Sequence, residues 1–498
     1  MVFPLLIPEL IVLAGAVTCA IVGVSSKRSV RDALPGVAIV TLVITGLWIS
    51  IFAGVEGMRA PGSTLQTLGP WVGVVTCALG VVLVLLNAGT ADREYESAVA
   101  AGKVTFDPLR TTRGEFYVFL LLSLGGLLLV TAASDLIWLF LALELTSLPT
   151  YVMVAMSRTQ GRAQEAAMKY FFLGAMSAAL FLYGFALLYG ATGTVELASM
   201  QAVFTQQAAA GGIGVMGIAG MLLAVLGIGF KLAAAPMHLY AADVYEGAAS
   251  PVTAFLGFVP KAAGALALML LLSTIGWFDN GALPPVLSVL LWVMAALTMT
   301  LGNIGALLQT SAKRMLAWSS IAHSGYILMG ILAGPHVGGF GAVLVYLLAY
   351  GLSNTAAFAA LAALRRGGAE VESLKDLPGL REQHGLTAWT MAIASGSLLG
   401  FPPLIGFWGK LLLFIAAVAS GHIVLVVIAA LNSAISAGYY LKLVAIPIMG
   451  EPTARSREVE RAISPWPRLV GIALAVSLLL MPLVLPVLMQ QVQRIFAN

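Results

Sequence analysis

Ionisable residues are scarce in this chain. Asp, Glu, Lys and Arg make up only 10% of its 498 residues, whereas apolar residues make up 60% and the mean hydropathy is +0.98. Apolar runs of about 20 residues, the length that a helix needs to cross the hydrocarbon core of a bilayer, recur from Phe3 to Leu488. This composition excludes a large soluble domain and predicts an all-α, polytopic bundle of transmembrane helices.

Cysteines and clustered metal ligands are also scarce. Cys19 and Cys77 both fall within apolar runs, which predicts small buried hydrophobic residues rather than a disulfide or metal framework. No His, Cys, Asp and Glu residues occur together at metal-ligand spacing. Gly212, Gly214 and Gly217 match the dinucleotide fingerprint, but they open an apolar run without a preceding strand. We therefore expect no metal and no bound cofactor on this chain.

Hydropathy predicts about 14 membrane spans. Their expected ranges are 3–24, 36–55, 71–90, 115–133, 135–156, 166–190, 213–235, 251–276, 284–308, 313–334, 337–364, 386–417, 421–447 and 465–490. We divide the chain into three N-terminal spans (1–114), a five-helix repeat (115–276), a second five-helix repeat (284–447), and a cytoplasmic loop with a final span (448–498). Because five is an odd number, the second repeat must be inverted relative to the first.

Basic residues are distributed unevenly between the loops. Of the 26 Lys and Arg residues, 19 lie in loops on one face of the predicted bundle, called the basic face below, and only Arg59 and Arg494 lie on the other face. Cytoplasmic loops carry an excess of basic residues, so both termini are expected on the outer face. The net charge of +4 thus reflects topology and does not indicate a nucleic-acid partner. The first span reads as a retained helix, and without a transit peptide we expect a bacterial inner membrane.

The remaining five basic residues lie inside predicted spans, together with one deep carboxylate. A charged side chain at the bilayer centre costs at least about 2.5–3.5 kcal/mol, so these residues need a functional reason, and the usual reason is a path for charge. Lys442 is the weakest candidate, because Tyr439 and Tyr440 beside it resemble an interfacial belt. The six residues are Lys169, Lys231, Lys261, Lys410, Lys442 and Glu144.

Glu144 and Lys231 are expected to form an ion pair, because a paired lysine can hold and exchange a charge that an isolated buried lysine would lose. The alternative for Glu144 is a neutral carboxyl group hydrogen-bonded to Thr146 or Ser147. For Lys261, Lys410 and Lys169 the alternative is that the side chain reaches the membrane interface. Pro236 follows Lys231, and Pro402 and Pro403 precede Lys410. Proline interrupts a helix, so these positions indicate an ion site in each repeat.

Two histidines lie near the lysines. His238 follows the first interrupted helix, and His323 is flanked by serines in the segment WSSIAHSGY. A histidine in a helix bundle is usually a hydrogen-bonded structural group. Close to a lysine series it can instead pass protons, because its protonation equilibrium lies near neutral pH. We therefore include both histidines in a predicted relay with Glu144 and the four lysines at positions 169, 231, 261 and 410.

Several segments together resemble the antiporter-like N subunit of respiratory complex I, called subunit 2 in mitochondria. They are LELTSLPTYVM, AAMKYFFLGAMSAALFLYGFALLYGATGT, FKLAAAPMHLYAADVYEGAASPVTAFL, PKAAG, GNIGALLQTSAKRMLAWSSIAHSGYILMG and FPPLIGFWGKLLLF, between about residues 115 and 445. The resemblance implies a membrane-arm subunit of NADH-quinone oxidoreductase that moves protons. It also implies M-type and K-type neighbours in the bilayer, with NADH, FMN, iron-sulfur clusters and quinone bound by partner subunits linked to the peripheral arm.

The resemblance assigns roles to individual residues. Glu144 is similar to the glutamate of the fifth span, Lys231 to the lysine of the seventh, Lys261 to the connecting lysine of the eighth, and Lys410 to the exit lysine of the twelfth. Lys169 is similar to the lysine that follows the fifth span. Two other functions stay open: a subunit of a multi-subunit Na+/H+ antiporter, and a structural scaffold held together by ion pairs. Buried ion pairs are poor stabilising devices, so the scaffold is the weaker alternative.

Overall fold

The computed structural model of the chain describes residues 6–52, 68–107, 110–158, 161–278 and 281–497. Long helices dominate these ranges. In chain order they are α1 (Ile7–Gly23), α3 (Leu34–Phe52), α4 (Leu68–Asn87), α6 (Arg113–Ala132), α7 (Leu136–Met156), α8 (Gly161–Thr192), α10 (Val215–Gly229), α12 (Ser250–Leu272), α13 (Pro285–Leu307), α14 (Ala312–Ala333), α15 (Gly339–Ala362), α16 (Leu380–Leu399), α17 (Ile405–Ala419), α18 (Ile423–Met449) and α20 (Trp466–Ala497).

Shorter elements lie between the long helices. The short helices are α2 (Arg28–Arg31), α5 (Arg93–Ala100), α9 (Leu197–Ala209), α11 (Ala241–Gly247) and α19 (Ala454–Arg457). The strands β1 (Leu364–Arg366), β2 (Ala369–Glu370) and β3 (Glu460–Arg461) form a small antiparallel sheet in the order β2-β1-β3 on the basic face. This sheet is an addition to the expected all-α architecture, and it joins the loop after α15 to the loop before α20.

The 14 expected spans agree with the described helices. Eleven helices in the described ranges are long and apolar enough to cross a membrane, and α1, α10 and α17 are three shorter apolar helices. The expected span 213–235 is α10, which ends at Gly229, and the expected span 386–417 is divided into α16 and α17. The first residues of span 3–24, the last of span 36–55, and Arg59 lie outside the described residues.

One helix occupies the centre of the bundle. Every residue of α12 is buried, and α12 packs against α6, α7, α14 and α15. The helices α14 and α15 are also almost completely buried, whereas α8, α13 and α18 keep one exposed apolar face. The helix that carries Lys261 is therefore shielded from lipid on all sides by the helices that surround it.

Glycine allows α8 and α10 to approach closely. A Cβ atom at Gly220 would lie 2.9 Å from the Gly184 carbonyl oxygen, and one at Gly227 would lie 2.7 Å from the Phe181 nitrogen. Small residues permit such backbone contact between membrane helices, where packing rather than the hydrophobic effect drives association. This close contact holds α10 beside α8, directly before the point at which α10 unwinds.

Candidate functional site

The first interrupted helix positions Lys231. Helix α10 ends at Gly229, and the chain resumes a helix only at Ala241, where α11 begins. The freed backbone groups in between are satisfied by side chains: the Tyr240 hydroxyl donates to the Phe230 carbonyl at 2.8 Å, and the Ala235 nitrogen donates to Thr298 Oγ1 at 2.9 Å. A membrane protein tolerates non-helical backbone only where such partners exist.

Lys231 and Glu144 form the expected ion pair. Lys231 Nζ lies 3.1 Å from Glu144 Oε1 and donates to Ser147 Oγ at 2.7 Å. The lysine side chain is 2% exposed and the glutamate side chain is 15% exposed. Glu144 therefore retains contact with the lateral surface of α7, where Leu141 and Leu148 are also exposed.

Lys261 has a different set of partners. Its ammonium group donates to the Leu232 carbonyl at 3.2 Å, to the Ser320 carbonyl at 2.5 Å and to Ser324 Oγ at 2.6 Å. Ser324 Oγ in turn donates to the Leu232 carbonyl, in the residue next to Lys231. The unwound segment thus links the first two lysines. The described hydrogen bonds of Lys261 are all with neutral oxygen atoms, and its ammonium group also lies 5.8 Å from the centre of the Tyr350 ring.

Tyrosine hydroxyl groups continue the polar series beyond Lys261. Ser320 Oγ lies 2.7 Å from the Tyr350 hydroxyl, and the Tyr350 ring lies 4.9 Å from the His323 ring between centroids. His323 Nε2 lies 2.8 Å from the Tyr440 hydroxyl, and Nδ1 is hydrogen-bonded with the Tyr346 hydroxyl. His323 therefore sits between two tyrosines and next to a third.

Lys410 lies at the second interruption. Helix α16 ends at Leu399, and the last two carbonyl groups of that helix, at Leu398 and Leu399, accept hydrogen bonds from Lys410 Nζ at 2.9 and 2.8 Å. A cation is favoured there because the carbonyl end of a helix carries partial negative charge. A small cavity separates Lys410 from His323, and its lining residues are His323, Tyr346, Ala349, Tyr350, Ser353, Ser397, Leu398, Gly406 and Lys410.

Two of the predicted relay residues lie outside this series. Lys169 is half exposed on the basic face, where it pairs with Glu165 at 2.9 Å and with Asp243 at 3.0 Å. The ring of His238 packs edge-on against Trp318 at 6.0 Å, and its Nδ1 atom is buried with no hydrogen-bond partner among the described residues. Neither residue has a described contact with Lys231, Lys261 or Lys410.

Four tyrosines near the lysine series were not predicted as site residues from the sequence. Tyr439 and Tyr440 resembled an interfacial belt, yet both are 1% exposed in the core, and Tyr440 contacts His323. Tyr346 and Tyr350 are four residues apart on α15, so they share one face of that helix. The sequence feature that could have indicated these tyrosines is the spacing of four residues, which places two hydroxyl groups on one face of a helix.

One further carboxylate lies inside a span. Glu144 was the one carboxylate predicted deep in a span. Glu9 lies in the first turn of α1, and its Oε2 atom is buried without a hydrogen-bond partner among the described residues. Glu9 was not predicted as a buried carboxylate because it lies near the end of its helix, where an acidic side chain usually reaches water. Glu9 belongs to the N-terminal helices and has no described contact with the lysine series.

A second group of charges is buried on the basic face. The Glu370 carboxylate contacts Arg158 at 2.5 Å, Lys313 at 3.5 Å and Arg365 at 3.6 Å, and Glu372 contacts Arg158 at 2.8 Å and Lys313 at 3.8 Å. Burial alone would raise the pKa of the Glu370 carboxyl, but these cations outweigh burial and hold that pKa well below its ordinary value. The same two carboxylates raise the pKa of Arg158 against the opposing effect of burial. The stability that Glu370 contributes is therefore present at neutral pH and is lost only in strong acid.

Comparison with known proteins adds independent information. The sequence profile of the family described as "NADH:quinone oxidoreductase/Mrp antiporter, TM" matches residues 133–436. NADH-quinone oxidoreductase subunit N of Trichlorobacter lovleyi is 40% identical over 405 residues, which cover 80% of each chain. A chain of respiratory complex I from Thermus thermophilus superposes with a TM-score of 0.75 at 31% identity, over 96% of this chain and 99% of that one.

A third comparison concerns the fold alone. A chain of the Mrp complex from Dietzia superposes with a TM-score of 0.77 over 100% of this chain and 98% of that chain, but at only 24% identity. The helical architecture is therefore shared beyond the oxidoreductases, whereas the higher identities are found among them.

Proposed function

This chain belongs to the family of antiporter-like N subunits of NADH-quinone oxidoreductase, and we propose that it moves protons across the membrane through the series Glu144, Lys231, Lys261, His323 and Lys410. The observation that carries the proposal is the series of buried ionisable and hydroxyl-bearing side chains between the two interrupted helices. Lys261 and Ser324 both bind the Leu232 carbonyl, in the residue next to Lys231. The Ser320 and Tyr350 hydroxyl groups, the His323 ring and a small cavity lie between Lys261 and Lys410. Oxidation of NADH and reduction of quinone belong to partner subunits, which hold the flavin, the iron-sulfur clusters and the quinone.

The proposed direction of transfer uses the orientation that the charge asymmetry predicts. Proton uptake is from the basic face, which lies in the bacterial cytoplasm, and release is to the outer face, on which both termini lie. The proton loads Lys231, passes to Lys261, and reaches Lys410 through His323, the tyrosine hydroxyls and water in the cavity. Residues 115–276 and 284–447 act as the two inverted repeats, each of which contributes one interrupted helix.

Glu144 couples this transfer to the rest of the complex. It is paired with Lys231 and it also reaches the lateral surface of α7, where a neighbouring membrane-arm subunit can lie. A change of charge in that neighbour alters the attraction between Glu144 and Lys231, because charges separated by a few ångströms interact strongly in a medium of low dielectric constant. Lys231 then holds its proton less firmly and passes it to Lys261. Lys169 and His238 have no assigned step in this series.

The test is proton flux in vesicles that contain the assembled complex. We expect Lys231→Ala and Lys410→Ala each to reduce the number of protons moved per NADH oxidised, because each change removes a carrier and leaves the helices able to insert. Lys442→Ala is the matched control, since Lys442 is an exposed lysine on α18 without a described contact with the series. Normal pumping by an assembled Lys231→Ala complex would contradict the proposal.

The antiporter alternative makes a different prediction. A subunit of a Na+/H+ antiporter would exchange protons for sodium without NADH oxidation. Vesicles prepared with and without a sodium gradient distinguish the two functions, and we expect proton flux that follows NADH oxidation and does not depend on the sodium gradient. The alternative has less support, because the 24% identity to the Mrp chain concerns the fold alone.

A further inference from the structure

One carboxylate oxygen on the basic face contacts three separate parts of the chain. Glu370 lies at the end of β2, in the connection between α15 and α16. Its Oε2 atom accepts hydrogen bonds from Arg158 Nη2 at 2.5 Å, from Ser250 Oγ at 2.7 Å and from the Ser250 nitrogen at 3.0 Å. Lys313 Nζ lies 3.5 Å from the same oxygen. These groups are distant in sequence, so Glu370 determines how their elements meet.

Each of these contacts is at the end of a helix that carries part of the proposed relay. Arg158 lies two residues after Met156, the last residue of α7, which is the helix of Glu144 and Ser147. Ser250 is the first residue of α12, the helix of Lys261. Lys313 is the second residue of α14, the helix of Ser320, His323 and Ser324. Helix α12, which carries Lys261, and the helices α7 and α14, which supply partners of Lys231 and Lys261, are therefore all anchored by Glu370.

The Glu370 carboxylate is buried and is paired with basic side chains. The Glu370 side chain is 8% exposed and the Lys313 side chain is 0% exposed, so both charges depend on each other rather than on water. Glu370 also accepts a hydrogen bond from the first backbone N–H group of α12, where the helix carries partial positive charge. Hydrogen bonds to a charged acceptor are the strong ones, and a buried charge that loses a partner is strongly disfavoured. A shift of the strand that bears Glu370 must therefore move the helix ends or break these contacts.

The strand β2, which ends at Glu370, is also connected along the chain to two helices of the second half of the proposed relay. Helix α15, which ends just before β1, carries Tyr346 and Tyr350. Helix α16, which follows the strands, supplies the two carbonyl groups that bind Lys410. Glu370 thus lies where the ends of α7, α12 and α14 meet the connection between α15 and α16.

We propose that Glu370 is a positioning residue of the pump. It fixes the positions of α7, α12 and α14 relative to one another along the membrane normal, and so keeps the groups around Lys231 and Lys261 aligned with those that lead to Lys410. This inference rests on the proposed proton-pumping function. Glu370 does not carry the proton. Its effect is on the coupling between NADH oxidation and proton transfer, because misaligned groups interrupt the series without disturbing electron transfer in partner subunits.

The test compares two carboxylates of the same cluster. Glu370→Gln keeps the size of the side chain and one oxygen acceptor but removes the charge that Arg158, Lys313 and Arg365 share. Glu372→Gln is the matched control, because Glu372 pairs with Arg158 and Lys313 but has no described contact with Ser250. We expect Glu370→Gln to lower the number of protons moved per NADH by roughly twofold or more, with NADH-quinone reductase activity retained, and Glu372→Gln to lower it less.

Amide hydrogen exchange supplies a second measurement that does not depend on pumping. In the whole complex, Glu370→Gln should speed exchange at the first turns of α12 and α14, whereas Glu372→Gln should leave the first turn of α12 unchanged. A normal proton ratio in an assembled Glu370→Gln complex overturns the inference, as does unchanged exchange. If the glutamine variant does not assemble, Glu370→Asp decides, because it keeps the charge but is too short to reach all the partners: a lowered ratio supports the inference and a normal ratio overturns it.

The same preparation separates this inference from the proposed function. If Lys231→Ala pumps normally, the proposed function fails, and hydrogen exchange alone then decides whether Glu370 positions the helices. If Lys231→Ala stops pumping while Glu370→Gln pumps normally, the proposed function stands and the positioning role fails.

Discussion

The three buried lysines of the relay differ in the groups that hold them. Lys231 contacts a carboxylate, whereas Lys261 and Lys410 contact serine hydroxyls and backbone carbonyl groups in the described chain. An ammonium group next to a carboxylate is stabilised in its charged form, and one that has only neutral oxygens around it is stabilised less. Of these three lysines, only Lys231 has a carboxylate partner in the described chain, and that partner is Glu144.

The pairing of Glu144 with Lys231 predicts a non-additive pair of mutations. Glu144→Gln preserves the volume of the side chain but removes its charge, and we expect both Glu144→Gln and Lys231→Ala to impair pumping. The double variant should lose little more than either single variant, with an interaction energy of about 0.5–3 kcal/mol, because the second change removes a partner that has already lost its function. The measurement is the proton flux of all four proteins in vesicles.

The control for this cycle uses a distant ion pair. Lys169 pairs with Asp243 on the basic face, so Lys169→Ala combined with Glu144→Gln should give the sum of the separate effects. Additive losses for Glu144→Gln and Lys231→Ala would instead show that these two residues act independently.

Residues of the candidate site could be predicted from the sequence where an ionisable side chain falls inside a membrane span. Glu144, Lys231, Lys261 and Lys410 stood out because ionisable groups are costly inside a membrane span. Tyr346, Tyr350 and Tyr440 did not, since tyrosine is common at membrane interfaces and its hydroxyl group becomes informative only when its neighbours are known. Hydrogen-bond partners such as the Leu232 carbonyl depend on an unwound backbone that no residue type specifies.

At the scale of the helix, the two interruptions use different chemistry. After α10 the chain leaves the helix for 11 residues, numbered 230–240. Freed groups there bind side chains: one is Thr298 of α13, and another is Tyr240 of the segment itself. After α16 the interruption is short, and Lys410 itself binds the freed carbonyl groups. The prolines near Lys231 and Lys410 correctly indicated that both helices are broken. They could not indicate how the broken ends are satisfied, because that depends on long-range packing.

The close contact between α8 and α10 predicts a sensitive position. Gly227→Ala places a Cβ atom 2.7 Å from the Phe181 nitrogen, which belongs to the backbone and cannot rotate away. We expect a destabilisation of about 1–3 kcal/mol from the forced separation of the helices. It should appear as a shorter half-life of the purified complex on heating.

A nearby glycine provides the control for this prediction. Gly214 precedes α10 with an ordinary negative φ of −62°, and a Cβ atom there has no neighbour within 4 Å. Gly214→Ala should therefore leave the thermal half-life unchanged. Equal half-lives for the two variants would show that the helix contact is looser than the structure describes.

At the scale of the whole molecule, the number of spans and the charge asymmetry were predictable, and the small sheet was not. Apolar runs of sufficient length specify membrane helices almost independently of their neighbours. The strands have two or three residues each, and they form because the loops after α15 and before α20 lie side by side on the basic face. Pairing between such distant short segments has no local sequence signal, and the ionic cluster around Glu370 was missed for the same reason.

The predicted orientation can be tested with single cysteines in whole cells. Lys375 and Ala282 are exposed residues on opposite faces of the bundle, whereas the native residues Cys19 and Cys77 are buried. With basic loops in the cytoplasm, a membrane-impermeant thiol reagent should label Ala282→Cys in intact cells and should label Lys375→Cys only after the cells are opened. Labelling of Lys375→Cys in intact cells would reverse the proposed direction of proton transfer.

The complete enclosure of α12 has a consequence for how the protein is made. Lys261 precedes its partners Ser320 and Ser324 by 59 and 63 residues, so the ribosome delivers this lysine to the membrane well before either serine exists. During that interval the insertion of α12 must rely on its other residues, and its mean hydropathy of 2.0 offsets the cost of the charge. The leucine-rich end of α12, from Ala265 to Leu272, therefore serves biogenesis before it serves packing, and the central helix becomes enclosed only when α14 and α15 have been synthesised.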